Sequence, residues 1–374
     1  MFYSKYINLL LGLSFTSLVG CASVTVESNG TQFPGIHPAI SNKNTDVILV
    51  HGMCRKDSTW FEEHVTELSS AIAGSQVKYI GLADNIITDD DLQVYHATVL
   101  TDSGSLNLYG IVYSNISEQQ KTELKNAKVS GKQAWANHKI KNFSLNDCLA
   151  DVVVYNGPSG KSIRSGVRSV LSQLNEDSDR DDAVVLLSES LGSKIVRDSL
   201  LCDHDEEGVV ALAKNGLSLL RRGEVFIMYA NQIPFLDLAS HESCNVEPSA
   251  NTFAAFMDSE TGRGDFSDIL GLLSNDSFFE SQGLIQEDAV ENRYWIAYSD
   301  PNDILSYRLD IDKYTDDGIE VTNVTVKNTR NWFGLFANPL KAHSGYRSNH
   351  TVKSMVLMGC LIDGNTCEVR SIQK

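Results

Sequence analysis

Two short stretches carry residue types able to do nucleophilic chemistry. Ser188-Glu189-Ser190-Leu191-Gly192 lies between the apolar run AVVLL (residues 183–187) and a helical pattern that starts at Gly192. A serine at a strand-to-helix turn projects its hydroxyl out of the sheet. The free N–H groups and dipole of the following helix favour the negative charge that such a serine develops. Strand and helix crowd together there, so the flanking positions must be small. The usual pattern is G-x-S-x-G; here Ser188 stands at the first glycine position. The second stretch is His51-Gly52, directly after the β-branched run DVILV (residues 46–50). A glycine there lets the backbone of the next residue turn toward a nucleophile. The N–H of Met53, with that of Leu191, then forms an oxyanion hole. The bland readings are a serine-rich helix cap and an ordinary His-Gly turn. Placement of Ser190 between an apolar strand and a helix favours the chemical one.

The elements that must position these groups alternate. Residues 46–50 read as a buried strand, 60–73 as a helix and 77–82 as a second strand, a β–α–β start that argues for a parallel sheet. Residues 92–100 and 106–113 read as two strands around Asp102-Ser103-Gly104. They form a hairpin inside an insertion, 84–150, expected to pack beside the mouth of the site. Residues 151–155 are a short β-rich run, 163–174 are helical, and 183–187, 225–230 and 294–298 are further strands. Residues 231–291 hold Phe235, Phe253, Phe256, Phe266, Phe278 and Phe279. They read as a small helical subdomain core; the family resemblance given below implies instead a helical cap or lid over this stretch. The expected fold class is α/β with a mostly parallel sheet.

Composition bounds the function. The chain has 374 residues, 42% of them hydrophobic, which suits a large core and excludes a disordered chain. Its net charge of -17 argues against nucleic acid as a partner and against charge-driven attachment to an anionic membrane. At the N-terminus, Lys5 precedes an apolar run (residues 7–19) too short and too polar for a membrane span. The run ends in Leu18-Val19-Gly20-Cys21, which resembles the lipobox of bacterial lipoproteins. That resemblance implies cleavage before Cys21, acylation of its thiol, and a membrane partner reached through an N-terminal lipid anchor in the cell envelope. Ala22 rather than Asp after the cysteine favours the outer membrane. Residues 22–44 are polar and read as a tether. Besides Cys21 there are Cys54, Cys148, Cys202, Cys244, Cys360 and Cys367, an even number that suggests disulfides in an oxidising compartment. Cys360 and Cys367 flank Asp363-Gly364-Asn365 and suit a hairpin disulfide; the other pairings stay open. No cysteine or histidine spacing suits zinc.

The order strand-His-Gly, strand-S-x-S-x-G-helix, then an acid, then a histidine resembles the α/β-hydrolase superfamily from about residue 45 onward. The family order is Ser…Asp/Glu…His. The resemblance places the acid in the loop after strand RYWIAYS (residues 293–299): Asp303 first, followed by Ile-Leu-Ser, then Asp300, with Asp237 a weaker third. Only His343 and His350 follow Asp303. KAHSGY (residues 341–346) is similar to the family's late histidine loop, making His343 the base, with His350 at the start of the next helix. His51 lies at the wrong end of the chain for that role. The resemblance implies a Ser190–His343–Asp303 triad, oxyanion donors at Met53 and Leu191, and an acyl-enzyme. It implies no cofactor and no metal. The expected substrate is a small-molecule or lipid ester with a hydrophobic acyl part, its pocket lined by Trp332, Phe333, Leu335 and Phe336. Thioesterase or amidase activity stays open, as does a non-catalytic lipoprotein of this fold that binds a ligand or partner. Three other signals fail. Gly160-Lys161-Ser162 lacks the glycine of a phosphate loop, because Tyr155 occupies that position. Asp310 and Asp312 lack an acidic follower at Tyr314. Asp89-Asp90-Asp91 reads as a cap.

Overall fold

Thr45–Val50 is buried along its whole length, and its side chains alternate between two cores. Ile48 and Val50 face one hydrophobic cluster, Val47 and Leu49 the other. A strand buried on both faces needs helices on both, the geometry of a parallel α/β sheet. The structure, a computed structural model, describes residues 24–38, 42–83, 86, 92–127, 131–132, 134–177, 181–203, 208–236, 266–281, 290, 292–314, 319–329 and 337–371. The strands are β1 Thr25–Ser28, β2 Gln32–Pro34, β3 Thr45–Val50, β4 Gln76–Leu82, β5 Gln93–Thr101, β6 Gly104–Val112, β7 Ala183–Glu189, β8 Gly223–Tyr229, β9 Arg293–Ser299, β10 Ile319–Thr325, β11 Gly359–Asp363 and β12 Thr366–Val369.

A nine-stranded sheet has the order β1-β10-β9-β8-β7-β3-β6-β5-β4. From β10 across to β6 every neighbouring pair is parallel. β5 and β4 on one side and β1 on the other pair antiparallel. Helices Ser159–Asp177, Leu191–Leu201 and Val209–Arg221 send Val167, Ile195 and Leu217 into one core. Helices Ser58–Ser69 and His350–Met358 send Phe61, Val65 and Val356 into the other. A second sheet, β12-β11-β2, carries the Cys360–Cys367 disulfide in its β11–β12 hairpin.

Four expectations are corrected. The segment 84–150 does hold a hairpin, β5–β6, but not as an appendage: β6 pairs with β3 and β5 with β4, so both strands belong to the main sheet. β4 is not the parallel neighbour of β3. Its Val77, Ile80 and Leu82 are exposed, a pattern that suits an edge and not a centre. Residues 151–155 are helical (Ala150–Tyr155), because Asp151 and Tyr155 turn inward to Lys121 and Asp198. These partners override the β-branched preference. Finally, much of the tether is folded. β1 pairs with β10 and β2 with β11, burying Val26, Phe33 and Ile36 among polar residues that had disguised them.

Parts of 231–291 are described as helices Ile233–Leu236, Phe266–Leu273 and Asp276–Ser281. Their Ile269, Leu270 and Phe279 are buried in the same core as Ile195 and Leu217. Residues 237–265, 282–289 and 291 of that segment, Asp237 among them, lie outside the described residues, as do residues 1–23, Asp89–Asp91 and Trp332 to Phe336.

Candidate active site

Ser190 joins β7 to helix Leu191–Leu201 with φ 53° and ψ -119°. A side-chain-bearing residue adopts that conformation only when its surroundings enforce it. Two glycines do so. A Cβ on Gly52 would lie 2.6 Å from the Ser190 Cβ, and one on Gly192 would lie 2.6 Å from the Val50 carbonyl oxygen. The exit of β3 and the turn after β7 thus interlock only without side chains at these points. Ser188 is fully buried, its hydroxyl 3.4 Å from the Ile227 carbonyl on β8. Ser190 itself is 4% exposed, and its hydroxyl has no hydrogen-bond partner within the protein.

His343 sits on helix Pro339–Ser344, whose N-cap Asn338 accepts from the N–H of Leu340 and Lys341. Its Nδ1 lies 2.9 and 3.0 Å from the two carboxylate oxygens of Asp303. The Asp303 side chain is fully buried and accepts two further bonds, from the Tyr346 hydroxyl at 3.0 Å and the Leu305 N–H at 3.0 Å. Asp300 does different work. Its carboxylate accepts from the N–H of Asn302 at 2.7 Å and the N–H of Asn328 at 2.5 Å, folding the loop after β9. Asp303, not Asp300, is therefore the carboxylate on His343. His350 is the first residue of helix His350–Met358, capped by Asn349.

Ser190 and His343 open on one cavity of about 260 Å³, with Met53, Trp60, Tyr229, Ala230 and Tyr346 among its apolar walls. Its rim is charged: Arg55, Lys56 and Arg347 face Asp57, Glu63 and Glu189. No described residue of 231–281 lines it. With Nδ1 on Asp303, the other ring nitrogen of His343 is the one left for proton transfer. The Ser190 hydroxyl and the His343 ring line the same cavity without a hydrogen bond between them.

The His51-Gly52 stretch builds a clamp. The His51 ring stacks on Tyr113 at 3.9 Å, and its Nε2 accepts the Tyr113 N–H at 3.2 Å. Nδ1 therefore carries the proton and donates to the Gly52 carbonyl at 2.6 Å, where the Tyr113 hydroxyl also donates at 2.7 Å. Burial pushes the His51 pKa down to about 3, so the ring stays neutral. In a trans peptide the N–H points opposite to the C=O. Two donors on the Gly52 carbonyl thus fix the direction of the Met53 N–H. Leu191 supplies the first amide of its helix, which has no intrahelical partner. Cys54, the residue after Met53, is disulfide-bonded to Cys148. Cys202 is also disulfide-bonded.

Glu189, just before the serine, accepts from the Trp60 indole at 3.0 Å and contacts His64 Nε2 at 3.0 Å. Burial alone would raise its pKa; the bond to and charge of His64, with Lys56 and Arg347, outweigh burial and hold it below the usual carboxylate range. Of Tyr346, Tyr113, His64 and Trp60, only Tyr346 lies in a stretch whose sequence carries a chemical reading, 341–346. Trp60 and His64 lie in a segment that reads only as a helix, 60–73, and Tyr113 in one that reads only as a strand, 106–113.

No family model matches this chain, and no curated protein or solved structure matches it either.

Proposed function

We propose that the protein is a serine hydrolase of α/β-hydrolase type that cleaves a carboxylic ester with a hydrophobic acyl group. One observation carries this: a serine held at positive φ shares a cavity with a histidine whose far nitrogen is held by a buried aspartate. In the reaction, His343 takes the Ser190 proton as Oγ attacks the ester carbonyl carbon. The oxyanion forms against the Met53 and Leu191 N–H groups. Collapse breaks the C–O bond, and His343 returns the proton to the leaving alkoxide. Water, deprotonated by His343, then attacks the acyl-Ser190 ester; the acyl C–Oγ bond breaks, His343 returns the proton to Ser190 Oγ, and the carboxylic acid leaves. Asp303 holds the imidazolium in place throughout. The apolar walls at Met53, Trp60 and Tyr229 support the acyl preference. Attachment to the bacterial envelope through acylated Cys21 belongs to the same proposal and rests on the lipobox resemblance.

A fluorophosphonate probe tests the enzyme reading. Folded wild-type protein takes the label on Ser190, and Ser190→Ala does not. Folded wild-type protein that takes no label, with no hydrolysis across p-nitrophenyl esters of graded chain length, rejects it.

A further inference from the structure

Residues 135–155 run as one helical stretch: an α-helix Trp135–Lys139, a π-helix Ile140–Leu149 and an α-helix Ala150–Tyr155. Its inner side is buried at Asn146, Cys148, Asp151 and Tyr155. Four of its large apolar side chains are open to water, Ile140 at 57%, Leu145 at 47%, Leu149 at 38% and Val153 at 73%, and Trp135 is 73% exposed on the short α-helix before them, all of whose residues are exposed. From Ile140 the steps are five, four and four residues. A π turn, with its i→i+5 bonds, takes more residues than an α turn, so these four side chains fall on one stripe. An exposed stripe of this kind marks a contact surface.

Charge identifies the occupant. Residues 124–146 hold five lysines (Lys125, Lys128, Lys132, Lys139 and Lys141) and no Asp or Glu, in a chain whose net charge is -17. Lys125 pairs with Asp147, while the Lys139 ammonium lies 4.5 Å over the Trp135 ring. An aliphatic stripe with a tryptophan at one end and lysines beside it is the composition of a segment lying in the lipid–water interface. Among the described residues no helix is long and apolar enough to cross a membrane, so such contact runs along the surface.

We propose that residues 135–153 dock this protein on an anionic lipid surface. The docking does not require the hydrolase reading. It does bear on it, because Cys148 on the inner side of the stretch is bonded to Cys54 at the cavity.

The chain from Ala22 onward, which contains every element described above, is mixed with two sets of vesicles. One is phosphatidylethanolamine with phosphatidylglycerol, the other phosphatidylcholine alone. Cosedimentation gives the partition coefficient. The protein binds the anionic vesicles more tightly. The triple variant Trp135→Ser, Ile140→Ser, Val153→Ser binds them at least roughly tenfold more weakly. Lys139→Glu with Lys141→Glu removes the preference for anionic lipid. Brominated acyl chains quench the wild-type fluorescence, and Trp135→Phe, which keeps the stripe apolar and the fold undisturbed, loses that quenching. Failure of the wild type to bind either vesicle overturns the proposal. So does unchanged partitioning of the triple variant, or quenching that survives Trp135→Phe. Self-association removed by the triple variant, without vesicle binding, assigns the stripe to a second copy of the chain and also overturns it.

Discussion

The Tyr346 hydroxyl donates to the same carboxylate that holds His343. Removing that donor leaves the buried carboxylate one hydrogen bond short and freer to turn away from His343 Nδ1. Tyr346→Phe should therefore lower kcat by roughly 3–10-fold with KM little changed, and a urea midpoint near that of the wild type separates this from a loosened fold. Asp303→Asn should cost roughly 10³–10⁴-fold in kcat. Asp300→Asn should instead lower stability by about 1–3 kcal/mol with kcat within a few-fold, measured by urea unfolding beside the ester assay. A large kcat loss in Asp300→Asn alone would reverse the two roles. His51 makes a pH prediction. Its folded pKa, about 3, lies below the ordinary 6.5, so the unfolded chain binds the extra proton. Stability is lost as pH falls through that window, by up to roughly 1.4 kcal/mol per pH unit. His51→Gln should show a flatter decline in urea midpoint between pH 7 and pH 4. At this scale Ser190, Asp303 and His343 were legible because motif and chain order constrain them. Tyr113, His64 and Trp60 were not: their partners lie 61, 125 and 129 residues away, and nothing local marks the contact.

Among the elements, the loop after β3 bears most on the proposed chemistry. It is held by the His51–Tyr113 clamp, by Gly52 against Ser190, and by the Cys54–Cys148 bond to the π-helix. The disulfide closes a sequence separation of 94 residues. Replacing both cysteines by serine should lower stability by about 4.7 kcal/mol on the chain-entropy account. It should also reduce kcat more than it raises KM, because Met53 is adjacent; stopped-flow acylation against melting curves separates the two effects. The parallel strands read clearly from their apolar runs. β4 did not declare its place, since an edge strand and a central one share β-branched residues and differ in what covers them. Residues 151–155 misled for the related reason that Val152-Val153-Val154 is as apolar as a strand. Their neighbours Asp151 and Tyr155 needed buried partners that only a helix could reach.

Across the whole molecule, net charge averages over uneven stretches. The -17 total includes a window at 124–146 with five lysines and no Asp or Glu, the stretch on which the proposed lipid contact rests. The N-terminal region held a similar surprise, because its polar composition concealed two strands. That changes how far the protein can act. β1 begins at Thr25 and is hydrogen-bonded to β10, so only residues 22–24 separate it from Cys21. At full extension the step from Cys21 to Thr25 spans about 14 Å. An acyl-anchored chain on so short a leash could not swing out into its compartment. It would work on esters in or delivered to the leaflet that holds it, with its first strand kept closer to the acyl anchor than the hydrocarbon core is thick, about 30 Å.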